Sequence, residues 1–250
     1  MEIITVTNQK GGVGKTTTAQ HLAIGLKKKG YKVLLIDFDQ QGNLTYSLRC
    51  DSKLTIYHVI NSEVSAEEAI FNAPDCDIIA GNILLSKAEK EFTETGKEYL
   101  LREALEPIKN NYDYIIIDTP PTLGILTVNA LTCSDSVIIP AQADIFSLQG
   151  FGQLNNLINK VKQYTNSKLK IKGVLLTKYN DRTILNRQLK QKAEEISEKI
   201  DAKVFNSTIR EATSIREAQT NKTNVFDYDP KSKVAKDYNA FIDEFLKIKD

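Results

Sequence analysis

The stretch Lys10-Gly11-Gly12-Val13-Gly14-Lys15-Thr16-Thr17 follows the apolar run Ile3-Ile4-Thr5-Val6-Thr7 and opens a segment of helical period. A strand that turns through glycines into a helix is built to hold a phosphate chain. The glycines permit a tight turn that points successive backbone N–H groups at phosphate oxygens, and the helix N-terminus adds positive potential. Lys15 reaches the β- and γ-phosphates and Thr16 ligates Mg²⁺. The general pattern GxxxxGK[ST] requires glycine at position 9, where this chain has Gln9. What remains, a lysine followed by GGVGKTT, is a variant of that loop with an extra lysine near its start. Residues 10–17 are therefore read as a nucleotide-binding loop.

Outward from the loop, apolar runs of strand length recur at 3–7, 33–36, 77–80, 114–118, 137–140 and 174–177, with helical segments between them. Runs apolar on both faces suit parallel strands covered by helices. The expected fold is an α/β, doubly wound, mostly parallel sheet with helices on both faces. Helices are expected at 14–29, ending at Gly30, and at 146–164. No internal repeat, low-complexity tract or Pro/Gly/Ser-rich linker divides the chain, so a single domain over residues 1–250 is expected.

Two acidic positions lie at strand ends, where ligands sit in open parallel sheets. One is Asp37-Phe38-Asp39 after Leu34-Leu35-Ile36. The other is Asp118, closing Tyr114-Ile115-Ile116-Ile117, a placement suited to holding Mg²⁺ through water.

The 250 residues are 41% hydrophobic and 26% charged, which excludes a largely disordered, collagenous or coiled-coil chain. The longest apolar runs fall far short of the roughly 18 residues of a membrane span. Strand-like sequence starts at Glu2 with no export signal before it, so the cytoplasm is the expected compartment. Cys50, Cys76 and Cys133 are odd in number and form no CxxC pair, which argues against a disulfide framework or a zinc site. The net charge of +1 hides an uneven distribution. Residues 1–159 carry 13 Lys and Arg against 19 Asp and Glu, residues 160–222 carry 15 against 7, and residues 223–250 carry 5 against 6. The basic block at 160–222 is a candidate surface for a polyanion.

At these residues the chain resembles the ParA/Soj family of DNA-partitioning ATPases, within the MinD/ParA group whose Walker loop deviates in this way. The resemblance runs through the loop at 8–17, the acidic motif at 35–43, YDYIIIDTPP at 112–121, residues 126–141, GVLLT at 173–177 and YDP at 228–230. It implies an ATP-dependent homodimer in which Lys10 of one subunit reaches the phosphates bound by the other. It also implies that Asp39 orients the attacking water and that Asp37 lies near the metal. The family usually shows Asp-x-Asp-Pro-Gln. Here Gln40 replaces the proline, which loosens the loop after Asp39 and bears on the hydrolysis rate. Without another positioned base, slow hydrolysis is expected.

In the basic block, Asp181-Arg182-Thr183 resembles the family segment whose arginine contacts DNA without reading sequence. Ile209-Arg210 through Ile215-Arg216 stands where relatives show Ile-Pro-Arg, a stretch used for the adenine pocket and for DNA, so Arg210 and Arg216 join Arg182 as candidate DNA contacts. Lys178, Arg187, Lys190 and Lys222 could extend that footprint. The resemblance thus implies ATP and Mg²⁺ as cofactors, and non-specific DNA and a ParB-type centromere-binding protein as partners, with nucleoid association. The N-terminal helix-turn-helix of larger plasmid relatives is not expected, since the first strand starts at Glu2. A MinD-like membrane role would need an amphipathic C-terminal helix. Residues 236–249 carry Asp237, Asp243 and Glu244, so a last helix packed on the sheet, and no membrane contact, is expected. A nucleotide-gated scaffold for a protein cargo would carry the same motifs. A nitrogenase-reductase-like iron–sulfur site finds its cysteines poorly placed.

Overall fold

The computed structural model describes the backbone of residues 1–92, 94–142, 145–180, 184–199 and 201–248. A seven-stranded sheet organises it: β1 (Glu2–Val6), β2 (Val33–Asp37), β3 (Ile70–Asn72), β4 (Asp77–Ile79), β5 (Tyr114–Asp118), β6 (Ser136–Gln142) and β7 (Lys170–Thr177). The spatial order is β3-β4-β2-β5-β1-β6-β7. Every neighbouring pair is parallel except β3 with β4. The helices are α1 (Lys15–Lys28), α2 (Asn43–Ser47), α3 (Ile56–Ile60), α4 (Ala66–Ala69), α5 (Leu85–Glu91), α6 (Leu100–Leu105), α7 (Ile125–Cys133), α8 (Ile145–Tyr164), α9 (Ile184–Lys199), α10 (Thr213–Thr220), α11 (Val225–Tyr228) and α12 (Lys233–Lys247).

The side-chain alternation of the strands explains the two helical layers. Ile4, Val6, Leu35, Ile116, Ile138 and Leu175 point to one face, where they pack with residues of α1, α11 and α12. Their neighbours Ile3, Leu34, Ile36, Ile115 and Ile117 point to the other, into a cluster built with α3 to α7. Farther along that second face, Val137, Ile139, Val174 and Leu176 meet α8 and α9. The strands are thus buried on both sides, as their continuous apolar runs require.

The expected helix ending at Gly30 is α1, which stops at Lys28, with Gly30 left-handed at φ 94°. The last helix begins three residues before the expected segment because the Ser232 hydroxyl caps it, accepting from the Ala235 N–H. Its Tyr238, Phe241, Ile242 and Phe245 are buried against the sheet. The short antiparallel edge strand β3 and the helices α2 to α6 carry no legible signal in the sequence, since elements of three to seven residues are too short for periodicity to declare.

Pro140 lies inside β6, a strand with neighbours on both sides. It fits because β1 pairs with β6 only as far as Val6 opposite Ile138. Beyond that point no ladder bond is forfeited on that side, and the Pro140 carbonyl accepts from Asn8 Nδ2 at 2.7 Å. The sheet therefore ends in a ragged carboxyl edge, and the phosphate loop is seated on it.

Candidate nucleotide site

The loop between β1 and α1 is held from behind at several points. Asn8 is buried, and its Oδ1 accepts from the Lys10 N–H at 3.0 Å. Gln142 Nε2, at the end of β6, donates to the Gly12 carbonyl at 3.0 Å. Thr177 Oγ1, at the end of β7, donates to the Val13 carbonyl at 2.7 Å. Gly14 takes the left-handed conformation (φ 86°) and stands at the N-cap of α1 without a side-chain cap. The helix therefore presents its positive end to the cavity. Lys15 is buried and its Nζ donates to the Lys10 carbonyl at 3.1 Å. Burial pulls its pKa below the ordinary lysine value, with Asp118 and Asp39 acting against that shift.

The acidic residues meet this cation because of sheet register. Asp37 and Asp118 are direct partners on the adjacent strands β2 and β5, and Asp118 is also opposite Val6 of β1. Both aspartates are fully buried. Burial pushes Asp37 up to about 6, against hydrogen bonds from Thr45 and the Asp39 N–H. Burial also drives Asp118 well above the usual carboxylate range, and the neighbouring Asp37 charge adds to the shift, against the nearby Thr16 hydroxyl and Lys15. Neither carboxylate oxygen of Asp118 has a hydrogen-bond partner among the described residues. An orphaned buried carboxylate beside a second one is a costly arrangement that a divalent cation relieves. Among the described residues no cluster of three or more His, Cys, Asp or Glu forms a metal cage. Asp37, Asp118 and the Thr16 hydroxyl instead make an oxygen donor set suited to Mg²⁺, an ion commonly shared with substrate phosphates.

Asp39 is buried at the cavity wall. Its N–H donates to Asp37 Oδ1 at 3.3 Å, and its own Oδ1 accepts from the Gln41 N–H at 3.0 Å. The cavity in front of the loop measures 460 Å³ and continues from residues 11–17 past Asp39 to Ile209, Ile215 and Tyr238. Arg210 and Arg216 line it as well. Arg210 forks onto Asp237, with Nε to Oδ2 at 2.6 Å and Nη2 to Oδ1 at 2.8 Å. Arg182 lies outside the described residues.

Several contributors carried no sequence signal. Thr45 grips Asp37 Oδ2 with both its N–H and its hydroxyl, each at 2.7 Å. Gly81 approaches so closely that a Cβ there would stand 2.3 Å from the Asp37 carbonyl oxygen. Gln219 Nε2 donates to Thr17 Oγ1 at 3.1 Å. His21 is buried in the second turn of α1, its Nδ1 donating to the Thr17 carbonyl at 2.7 Å and its Nε2 accepting from the Val225 N–H at 3.1 Å. Burial lowers it to about 4, which keeps it neutral in the tautomer those two bonds need.

A deviant Walker loop on a parallel α/β sheet, with an acidic strand end beside its lysine, defines a P-loop nucleotide-binding protein of the ParA/MinD type. A family model described as an AAA domain matches residues 1–171. The chain is 41% identical to the sporulation initiation inhibitor protein Soj of Bacillus subtilis over 243 residues, which cover 95% of each protein. It is 38% identical to the chromosome partitioning protein ParA of Caulobacter vibrioides, covering 92% of this chain and 88% of that one. Among solved structures, the cobyrinic acid a,c-diamide synthase of Mycobacterium smegmatis with bound ADP and magnesium superposes with a TM-score of 0.85 at 34% identity, covering 99% of this chain and 94% of that one. The chain belongs to the ParA/Soj family of P-loop ATPases.

Proposed function

We propose that this protein is a Mg²⁺-dependent ATPase switch that dimerises with ATP, binds DNA without sequence preference in that state, and drives plasmid or chromosome partition with a ParB-type partner. The observation that carries the reading is the buried Asp118, whose carboxylate oxygens lack a hydrogen-bond partner among the described residues and whose charge is felt by Lys15 of the phosphate loop. A carboxylate left in that state serves catalysis and not the stability of the apo-protein. The ADP and magnesium held by the M. smegmatis relative support ATP and Mg²⁺ as the ligands here.

In this reading the backbone N–H groups of residues 11–17 and the Lys15 ammonium bind the phosphates, while Thr16, Asp37 and Asp118 hold the metal. When bound, Mg²⁺ neutralises phosphate charge as the terminal bond breaks. Asp39 orients a water for in-line attack on the γ-phosphorus, and the bond to the ADP oxygen breaks as the new P–O bond forms. The reaction needs positioning and charge neutralisation above all, so the pinned loop and the Thr45 grip on Asp37 do much of the work. Lys10 supplies a second cation to the γ-phosphate of the partner subunit, which links dimerisation to nucleotide state. Arg182, Arg210 and Arg216 contact DNA phosphates, the ATP dimer resides on the nucleoid, and the partner stimulates slow hydrolysis.

Among the described residues no helix is long and apolar enough to cross a membrane, and the apolar face of α12 is already buried. The test is retention on random-sequence DNA beside anionic liposomes, with ATP and with ADP, across a salt series. Salt-sensitive DNA retention only with ATP is expected. Liposome retention without DNA retention, or retention on neither, would refute the DNA switch.

A further inference from the structure

Two residues outside the nucleotide cavity hold a backbone conformation that side chains disfavour, and they hold each other. Arg49, just after α2, has φ 56°, and Lys222, just after α10, has φ 50°. Non-glycine residues keep left-handed backbones only where their surroundings over-determine them. Here the Arg49 guanidinium spans two carbonyls at the C-terminal end of α10, with Nε to Lys222 O at 2.9 Å and Nη2 to Asn221 O at 3.1 Å. The Asn221 carbonyl, at the C-cap of α10, is one that a helix end leaves without an intrahelical partner, and a cation there also meets the negative end of the helix dipole. The Lys222 ammonium returns across the contact, 4.1 Å from the centre of the Tyr46 ring on α2.

Each half of this clasp reaches the nucleotide site. From α2, Thr45 grips the Asp37 carboxylate. From α10, Gln219 donates to Thr17 in the first turn of α1. The contacts therefore close a ring around the cavity, from Thr17 through Gln219 and α10 to Lys222, across to Arg49, and back through α2 and Thr45 to Asp37. The clasp is one link between the acidic, metal-side segment and the element that touches the phosphate loop.

We propose that Arg49 is a positioning residue for ATP hydrolysis, fixing the distance between the Asp37–Asp39 segment and the phosphate loop by clasping α2 to the end of α10. The proposal rests on the ATPase reading above. Arg49 touches neither phosphate nor metal, so its loss acts on the alignment of the acidic segment more than on nucleotide affinity.

Arg49→Gly removes the fork while suiting the left-handed backbone, and Arg49→Lys keeps the charge but offers a single point donor in place of a fork. For both variants the expected result is a kcat reduced about tenfold, a KM for Mg-ATP within about twofold of the parent, and an unchanged melting temperature. A kcat equal to the parent's would overturn the proposal, as would a fall in melting temperature with a matching rise in KM, which would mark a brace of the fold alone. Amide exchange of the nucleotide-free protein gives an arm that needs no turnover. Arg49→Gly should raise exchange both at residues 41–48 and at residues 219–222, and unchanged exchange in either segment would overturn the clasp. A parent protein that hydrolyses no ATP would instead sink the ATPase reading, leaving the exchange arm to decide the clasp.

Discussion

Asp118 shows at the scale of one side chain how far function has been placed ahead of stability. Its carboxyl is buried, unpaired and next to a second buried acid, so ionising it opposes folding until a cation arrives. The sign follows from the direction of the shift. A carboxyl whose folded pKa is raised favours the folded state in acid, and that advantage disappears as the pH climbs from the ordinary carboxylate value through the raised one. Asp118→Asn should therefore stabilise the metal-free protein by about 1–3 kcal/mol at pH 8, since it removes a buried charge that the nearby Thr16 hydroxyl and Lys15 only partly compensate. The gain should vanish well below the ordinary carboxylate value of 3.8, at about pH 2, where the parent carboxyl is protonated in both states. Denaturant melts in EDTA across that range measure it, and the same variant should lose the extra stability that Mg-ATP confers on the parent. A metal-free variant no more stable than the parent would show that Asp118 is not held at a cost. Asp39 behaves differently, being held by a backbone N–H at the cavity wall. Asp39→Ala should leave ATP-driven dimerisation intact and abolish phosphate release, and normal turnover would remove Asp39 from the mechanism.

At the scale of elements, the site depends on strand ends that meet only after folding. Gly81 follows β4 and abuts Asp37 at the end of β2, and the two are bridged by Thr45, whose hydroxyl accepts from the Gly81 N–H at 2.9 Å. A methyl group at Gly81 would have to displace a backbone carbonyl of a paired strand, which has nowhere to go. Gly81→Ala should cost about 1–3 kcal/mol in denaturant melts and weaken Mg-dependent ATP binding, while Mg-free binding changes less. Equal effects with and without Mg²⁺ would mean that the damage is general. The same contact shows what was legible in sequence and what was not. The phosphate loop and Asp118 announce themselves because each is local: glycines and a lysine after one apolar run, a carboxylate closing another. Gly81 and Thr45 are 36 residues apart, and Gln219 is 202 residues from the Thr17 hydroxyl it meets. Nothing in either segment marks those pairings, which the order of strands and the docking of α10 create. The continuous apolar runs revealed the six parallel strands, whereas the three residues of β3 had no pattern long enough to read. His21 resembles any helical residue in the sequence, yet one ring nitrogen is fixed by the Thr17 carbonyl within α1, the other accepts from the Val225 N–H of α11, and the ring stacks on Tyr238 at 4.5 Å.

For the whole molecule the question is how nucleotide state would reach the proposed DNA surface, and the arginines offer a way to separate the two. If Lys10 serves the neighbouring active site, Lys10→Ala should keep monomer ATP binding and lose the ATP dimer in light scattering. An unchanged dimer would sink the cross-subunit role. The arginines of the basic block divide differently. Arg210 lines the nucleotide cavity and is forked onto Asp237, so removing its side chain strips a cavity wall and leaves a largely buried carboxylate with the backbone N–H of residue 210 in place of a charged fork. Arg210→Ala should weaken ATP binding and DNA retention together if, as proposed, the ATP dimer is the form that binds DNA. Arg182, in the segment expected to touch DNA, should report on DNA alone. Arg182→Glu should abolish ATP-dependent retention on random-sequence DNA while dimerisation and ATP affinity stay at the parent level. The milder Arg182→Ala should bind measurably, with a slope of log K against log salt reduced by about one for each phosphate that the dimer no longer neutralises. An undiminished slope would place the footprint elsewhere in residues 160–222. Loss of dimerisation in Arg182→Glu would show that this arginine belongs to the subunit interface and that the basic excess of the block has been assigned to the wrong partner.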